Sequence, residues 1–300
     1  MTLPTGRRRR PAFAAGLATL AMALGFTAVP ADAAPPVPDV DLVAVGDSYT
    51  AGTGATDFIP NFPCDQTPGG YVDILKNLAI VDDVVSNGAC HGALLDARAS
   101  NIVPSVMEQI AALAASEALS GRTELVTLTA GANDLGFNTV LFTCAFSTFE
   151  ACQLAVANAS ATLPAIQADL VEALSAIHRA APRAKIAVFG YPLLFDPVRG
   201  LPVLSPESQA LVNSGTAALN ATIFAAVAEA NAVSKANAVY IDVTTPFAGH
   251  EANTLQQWIV LDLVPPIELT DDTFHPNAAG HDAYADALTA TVNLQALARR

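Results

Sequence analysis

Two short segments, far apart in a 300-residue chain, carry side chains suited to acyl transfer: Gly46-Asp47-Ser48-Tyr49-Thr50-Ala51-Gly52 and Asp271-Asp272-Thr273-Phe274-His275-Pro276-Asn277. A serine on a tight, glycine-flanked turn exposes its hydroxyl and aims main-chain N–H groups at an incoming oxyanion, but it needs a base before it is a nucleophile. The spacing of three lets Asp272 fold back within one turn onto a ring nitrogen of His275. That contact would fix the tautomer and leave the other nitrogen to take the serine proton. Asp271 is the substitute orienter. Donors for a tetrahedral oxyanion are offered by Asn87-Gly88-Ala89-Cys90-His91-Gly92-Ala93 and by Gly131-Ala132-Asn133-Asp134, where glycine admits a close main-chain N–H and asparagine a neutral amide. Each segment alone reads equally well as a turn or a helix cap; the conjunction points to catalysis. One rival uses the same residues differently, because Gly88-Ala89-Cys90-His91-Gly92 spells a nucleophile elbow with Cys90 in place of serine. A second rival is an exported binding or adhesion module on the same fold.

These residues must be brought together by the elements between them. Short apolar runs at 40–45, Ile80–Val85, Glu124–Thr129, Lys185–Phe189 and Ala238–Val243 read as strands buried on both faces. Ala-rich stretches with helical periodicity lie at Val106–Leu119, Glu150–Ala181, Pro206–Val233 and Asn277–Ala298. The alternation predicts a three-layer α/β/α sandwich on a five-stranded parallel sheet, with the ligand site beyond the carboxyl ends of the strands. The candidate segments fall there. The stretches Thr53–Gly70, Phe137–Ala151 and Leu193–Pro206 show no readable period and are expected as loops over the site.

Composition narrows the partners. With 52% hydrophobic and 14% charged residues and a formal net charge of -14, the chain is globular and would be repelled by phosphate backbones and anionic membranes. Arg7 to Arg10, the apolar run Pro11–Val29 and the small residues Ala31-Asp32-Ala33 lay out a signal peptide over residues 1–33, so a secreted, extracellular protein is expected. A Pro-rich leader at 34–39 and one domain over 40–300 follow, with no internal segment expected to be apolar over the ~18 residues a bilayer crossing needs. No stable membrane anchor and a monomer are the corresponding expectations. Cys64, Cys90, Cys144 and Cys152 fit two disulfides in an oxidising compartment; three pairings are allowed, and the short Cys144–Cys152 span invites a local staple that leaves Cys64 with Cys90. No Cys-x-x-Cys, His-Glu-x-x-His, Walker loop or Gly-x-Gly-x-x-Gly occurs, so neither a metal nor an organic cofactor is expected.

The ordered blocks Gly46-Asp47-Ser48-Tyr49, Cys90-His91-Gly92-Ala93, Gly131-Ala132-Asn133-Asp134 and Asp272-Thr273-Phe274-His275 resemble those of the SGNH/GDSL hydrolase superfamily, in its secreted bacterial esterase/lipase branch. The resemblance implies a flavodoxin-like SGNH fold and hydrolysis of acyl-ester or lipid substrates without a cofactor. It assigns Ser48 as nucleophile, His275 as base and Asp272 as orienter. The oxyanion hole would combine the Ser48 N–H, the Gly92 N–H and the Asn133 amide, Gly92 being preferred to Gly88 because the branch places its glycine two residues after a disulfide-bonded cysteine. Cys64–Cys90 and Cys144–Cys152 match the branch's first two disulfides. Three departures accompany the likeness. Tyr49 stands where the family usually has Leu; some members orient the histidine with a main-chain carbonyl; and Asn253 stands near a third disulfide's cysteine, which implies a less constrained segment between Pro202 and Trp258.

Overall fold

Buried Leu, Val and Ala side chains on both faces commit β1 (Leu42–Gly46) to the middle of a sheet, and it pairs in parallel with β2 (Ser86–Asn87) on one side and β3 (Leu125–Thr129) on the other. Beyond β3 lie β4 (Lys185–Phe189) and β5 (Ala238–Ile241), all parallel, giving the order β2-β1-β3-β4-β5. This order reverses between β1 and β3, which places a crevice at the carboxyl ends of those two strands. The computed structural model describes residues 39–58, 60–82, 84–97, 102–261 and 269–300; the expected signal peptide and residues 34–38 of the leader lie outside the described residues. Pro38–Arg300 forms one compact unit.

Parallel strands need crossovers, and the helices supply them. In chain order these are α1 (Ser48–Ala51), α2 (Tyr71–Lys76), α3 (Val106–Ala115), α4 (Phe137–Phe146), α5 (Phe149–Ser160), α6 (Leu163–Ala180), α7 (Pro206–Val233), α8 (Thr244–Phe247), α9 (Ala278–Thr291) and α10 (Leu294–Leu297). α3, α6 and α7 pack in succession as one layer, and α2, α8 and α9 group as the other. The sheet is thereby covered on both faces, the α/β/α arrangement expected from the alternation.

Local chemistry explains most boundaries and several departures from expectation. Ser105 starts α3 with a reciprocal capping box to Glu108, and Ser205 with Pro206 starts α7. Among the described residues, the expected strand Ile80–Val85 pairs only through the Val40–Val81 bridge, while the ladder proper forms at Ser86–Asn87. The expected helix Glu150–Ala181 is two helices, broken where Pro164 enters the first turn of α6. The last expected helix likewise divides at Val292 into α9 and α10. Phe137–Ala151, expected as a loop, is mostly helical, and Cys144–Cys152 ties α4 to α5; the other disulfide joins Cys64 to Cys90.

Two further expectations are corrected. By length and composition α7 is apolar enough to cross a membrane, although none of the internal segments was expected to be. It is a core helix here: Val212, Leu219, Ile223 and Ala226 are buried, and buried Asn220 holds the main chain of Tyr191 by accepting from its N–H and donating to its C=O, both at 2.8 Å. Asn253, expected to leave its segment less constrained, is fully buried and ties it down. Its Nδ2 donates to the carbonyls of Asp196 (3.1 Å) and Leu201 (2.9 Å) and to Gln209 Oε1 (3.0 Å), and its Oδ1 accepts from the Asp196 N–H (2.8 Å).

Candidate active site

The chain leaves β1 through Gly46, whose φ of +140° and whose closeness to β3 exclude a side chain: a Cβ there would sit 2.4 Å from the Thr129 carbonyl oxygen. Asp47 then caps α1, its carboxylate accepting from the Tyr49 N–H at 3.1 Å. The cap fixes Ser48 at the first helical position, buried but lining a small cavity of about 90 Å³ with His275, Gly92 and Asn133. His275 Nε2 lies 2.7 Å from Ser48 Oγ, a full hydrogen bond across 227 residues of sequence.

The histidine loop is held along the 258–260 segment. Phe274 N–H donates to the Val260 carbonyl at 2.8 Å, Val260 N–H returns to the His275 carbonyl at 2.8 Å, and Asn277 N–H reaches the Trp258 carbonyl at 2.9 Å. Tyr49 adds a fourth tie, since its Oη donates to the carbonyl of Phe274, a residue at φ +65°, at 2.7 Å. Close approach to Ser48 is possible because Gly54, at φ +87°, presents no Cβ to the Pro276 carbonyl oxygen, which would lie 2.5 Å away. Burial, with a smaller contribution from His91, pushes the His275 pKa down to about 3, so the ring is neutral and able to accept a proton at neutral pH.

Asp272 is placed differently from the expectation. Its Oδ1 accepts from the Gly54 N–H and its Oδ2 from the Phe58 N–H, each at 3.2 Å, so the carboxylate closes the 54–58 turn and does not reach the imidazole. Nδ1 of His275 has no partner of hydrogen-bond geometry; the main-chain carbonyls of Asp272 and Thr273 are the nearby groups that favour a protonated ring. The carboxylate is engaged instead by two main-chain N–H groups of the 54–58 turn. Asp272→Asn should therefore keep kcat/KM on a soluble ester within about tenfold of the parent, where loss of a true orienting carboxylate costs ~10⁴-fold. Its acid limb should stay below the ordinary histidine value of 6.5. A pH–rate profile of the folded variant checks both.

On the opposite wall, Gly92 stands at φ +75° with open space where a Cβ would be, and Asn133 Nδ2 donates to the Ala93 carbonyl at 2.8 Å. That bond aligns the amide and leaves its second N–H for the cavity. Beneath Ser48, buried Asp47 accepts from Thr129 Oγ1 at 2.8 Å and from the Tyr191 hydroxyl, and burial raises its pKa to about 6. Tyr191 Oη also accepts from the Ala132 N–H at 3.4 Å, next to Asn133. Tyr49 and Tyr191 are buried and line the cavity wall. They also join the serine turn to the histidine loop and to the asparagine turn.

The rival nucleophile is removed, because the sulfur of Cys90 is bonded to Cys64. His91 sits at the cavity edge with its Nδ1 3.0 Å from Thr53 Oγ1, and His250 stacks on Trp258 at 3.7 Å between ring centroids. His281 is buried, tied to the Tyr71 N–H at 3.3 Å and the Thr53 carbonyl at 3.1 Å. Among the described residues no cluster of three or more His, Cys, Asp or Glu could hold a metal ion.

Residues 44–283 match the model of the GDSL-like lipase/acylhydrolase family. The chain belongs to that family. A lipase of Streptomyces rimosus is 30% identical over 285 residues, covering 91% of this chain and 94% of the relative, and Lipase 1 of Streptomyces coelicolor is 30% identical over 272 residues, covering 88% and 92%. Among solved structures, phospholipase A1 from Streptomyces albidoflavus superposes with a TM-score of 0.68 at 25% identity, covering 84% of this chain and 98% of that one. The extracellular lipase of Streptomyces rimosus gives 0.68 at 27%, covering 84% and 100%. As a GDSL lipase/acylhydrolase, the chain is an ester hydrolase, and its substrates are esters or lipids.

Proposed function

We propose that this GDSL hydrolase is a secreted serine esterase/lipase that cleaves carboxylic esters through an acyl-enzyme, with Ser48 as nucleophile and His275 as general base and acid. The observation that carries the reading is the 2.7 Å contact between Ser48 Oγ and the Nε2 of a neutral, buried His275. As Oγ attacks the ester carbonyl, Nε2 takes its proton; the carbonyl oxygen becomes an oxyanion against the N–H groups of Ser48 and Gly92 and the amide of Asn133. The proton then passes to the departing alkoxide, and His275 activates the water that attacks the acyl carbonyl and frees Ser48. His275 acts as one half of a dyad in this scheme, with main-chain carbonyls of Asp272 and Thr273 opposite its Nδ1, and Asp272 shapes the 54–58 turn. Secretion is supported by the Arg-led apolar N-terminus and by likeness to an extracellular lipase.

Diethyl p-nitrophenyl phosphate tests this directly, since it phosphorylates an activated serine and releases nitrophenolate. One diethylphosphoryl group per chain is expected, on the peptide containing Ser48, with ester turnover lost in proportion to labelling. Labelling elsewhere would overturn the assignment, and a folded protein that neither labels nor turns over esters would favour the binding module.

A further inference from the structure

We propose that α4 is a docking face for the surface of neutral, aggregated lipid, placed to feed an acyl chain toward Ser48. This rests on the ester-hydrolase reading above. α4, Phe137 to Phe146, contains no acidic or basic residue, in a chain whose net charge is -14. Phe142 and Phe146, four residues apart and so on one helical face, are 62% and 68% exposed, with ring centroids 4.9 Å apart. Phe149, at the start of α5, is also partly exposed, at 39%. Large aromatic side chains are costly to leave in water, and two of them side by side on a neutral helix form a surface that gains by being covered.

Continuity with the reaction site identifies the occupant. Phe142 and Phe146 also form the outer wall of a groove of about 670 Å³ whose other apolar lining includes Leu141, Val203, Leu204 and Leu269. At its inner end the groove is lined by His91 and His275, which also line the cavity at Ser48. An apolar chain whose ester lies at Ser48 and which follows this groove thus runs past the same two rings that face solvent. Whatever covers the rings must be the medium that holds the rest of that chain, and this is lipid. A protein partner on α4 would close the mouth of the groove. Surface charge selects the kind of lipid: among the described lining residues, Asp271 is the sole carboxylate and there is no Lys or Arg, so an anionic surface gains nothing and is repelled by the whole chain. Cys144–Cys152 braces α4 against α5, which keeps the face rigid while it seats.

The test compares the parent with Phe142→Ser/Phe146→Ser, a pair of exposed changes, after checking by circular dichroism that both melt alike. Flotation with phosphatidylcholine vesicles should retain the parent, release most of the double variant, and show weaker parent binding when phosphatidylglycerol is added. Turnover of a long-chain p-nitrophenyl ester embedded in those vesicles should fall at least about tenfold more in the variant than turnover of dissolved p-nitrophenyl acetate. Equal losses on both esters, equal vesicle binding by both proteins, or stronger parent binding to anionic vesicles would each overturn the proposal. Failure of the hydrolase reading looks different: the parent would then not turn over even the dissolved acetate in a Ser48-dependent way.

Discussion

Ser48→Ala should lower kcat/KM on p-nitrophenyl butyrate by roughly 10⁴–10⁶-fold while leaving the protein folded. The size follows from what is lost and what stays. Without Oγ there is no acyl-enzyme, yet the Ser48 N–H, Gly92 and Asn133 still line the cavity and His275 still offers a neutral ring, so a small rate of direct attack by water survives. Folding should be nearly untouched, because the turn is fixed by the Asp47 cap and by Gly46, and only one hydrogen bond, worth about 1 kcal/mol, disappears. His275→Ala should cost about as much, and the double variant little more, since the two act as one unit. Measuring all three on one ester, with thermal melts alongside, decides the matter. A Ser48→Ala rate within tenfold of the parent would require another nucleophile, and among the described residues there is no free cysteine to serve.

The next largest effect is expected at Asn133. Truncation to Ala should reduce kcat by about 10²–10³-fold with little change in KM, because the amide meets the oxygen when it carries charge more strongly than in the ground-state ester. Asn133→Asp should be worse still at neutral pH, since a carboxylate would face the developing oxyanion. The Ala variant also leaves the Ala93 carbonyl without its 2.8 Å donor, so a modest loss of stability of about 1 kcal/mol accompanies the kinetic change. A rise in KM at constant kcat would instead make Asn133 a substrate-holding residue.

Ser48 and Asn133 were readable because each stands shortly after a strand, and strands buried on both faces announce themselves by continuous apolar runs; His275 was readable from its place just ahead of the last long helix. β4 falls at Lys185–Phe189, as expected, and α7 at Pro206–Val233, where a Ser-Pro start and a long period leave little ambiguity. β2 was displaced by several residues because apolarity reports burial, whereas the ladder is a matter of which N–H faces which C=O; the Ser86–Asn87 pair is polar and half-buried. α4 escaped notice because its apolar residues occur on several sides of the helix. Some pack inward, such as Val140 and Leu141, while Phe142 and Phe146 stay exposed, so no single stripe betrays the period. Asp272 shows a different limit. Spacing says which residues can meet, but competing partners decide which do, and the Gly54 and Phe58 N–H groups that take this carboxylate lie more than two hundred residues away in the sequence. The roles of Tyr49 and Tyr191 were hidden for a similar reason, because a hydroxyl's partner is a tertiary fact.

Asn253 has a consequence for how the protein matures. A cross-link between sulfurs waits for an oxidant and can join the wrong partners, whereas four hydrogen bonds around a buried amide form as soon as the chain collapses around them. With two pairs of cysteines there are three ways to mispair or pair, against fifteen for three pairs. The segment that Asn253 secures is therefore assembled independently of thiol oxidation. It would keep its place under reductants strong enough to open Cys64–Cys90 and Cys144–Cys152, yielding to heat or urea but not to thiols.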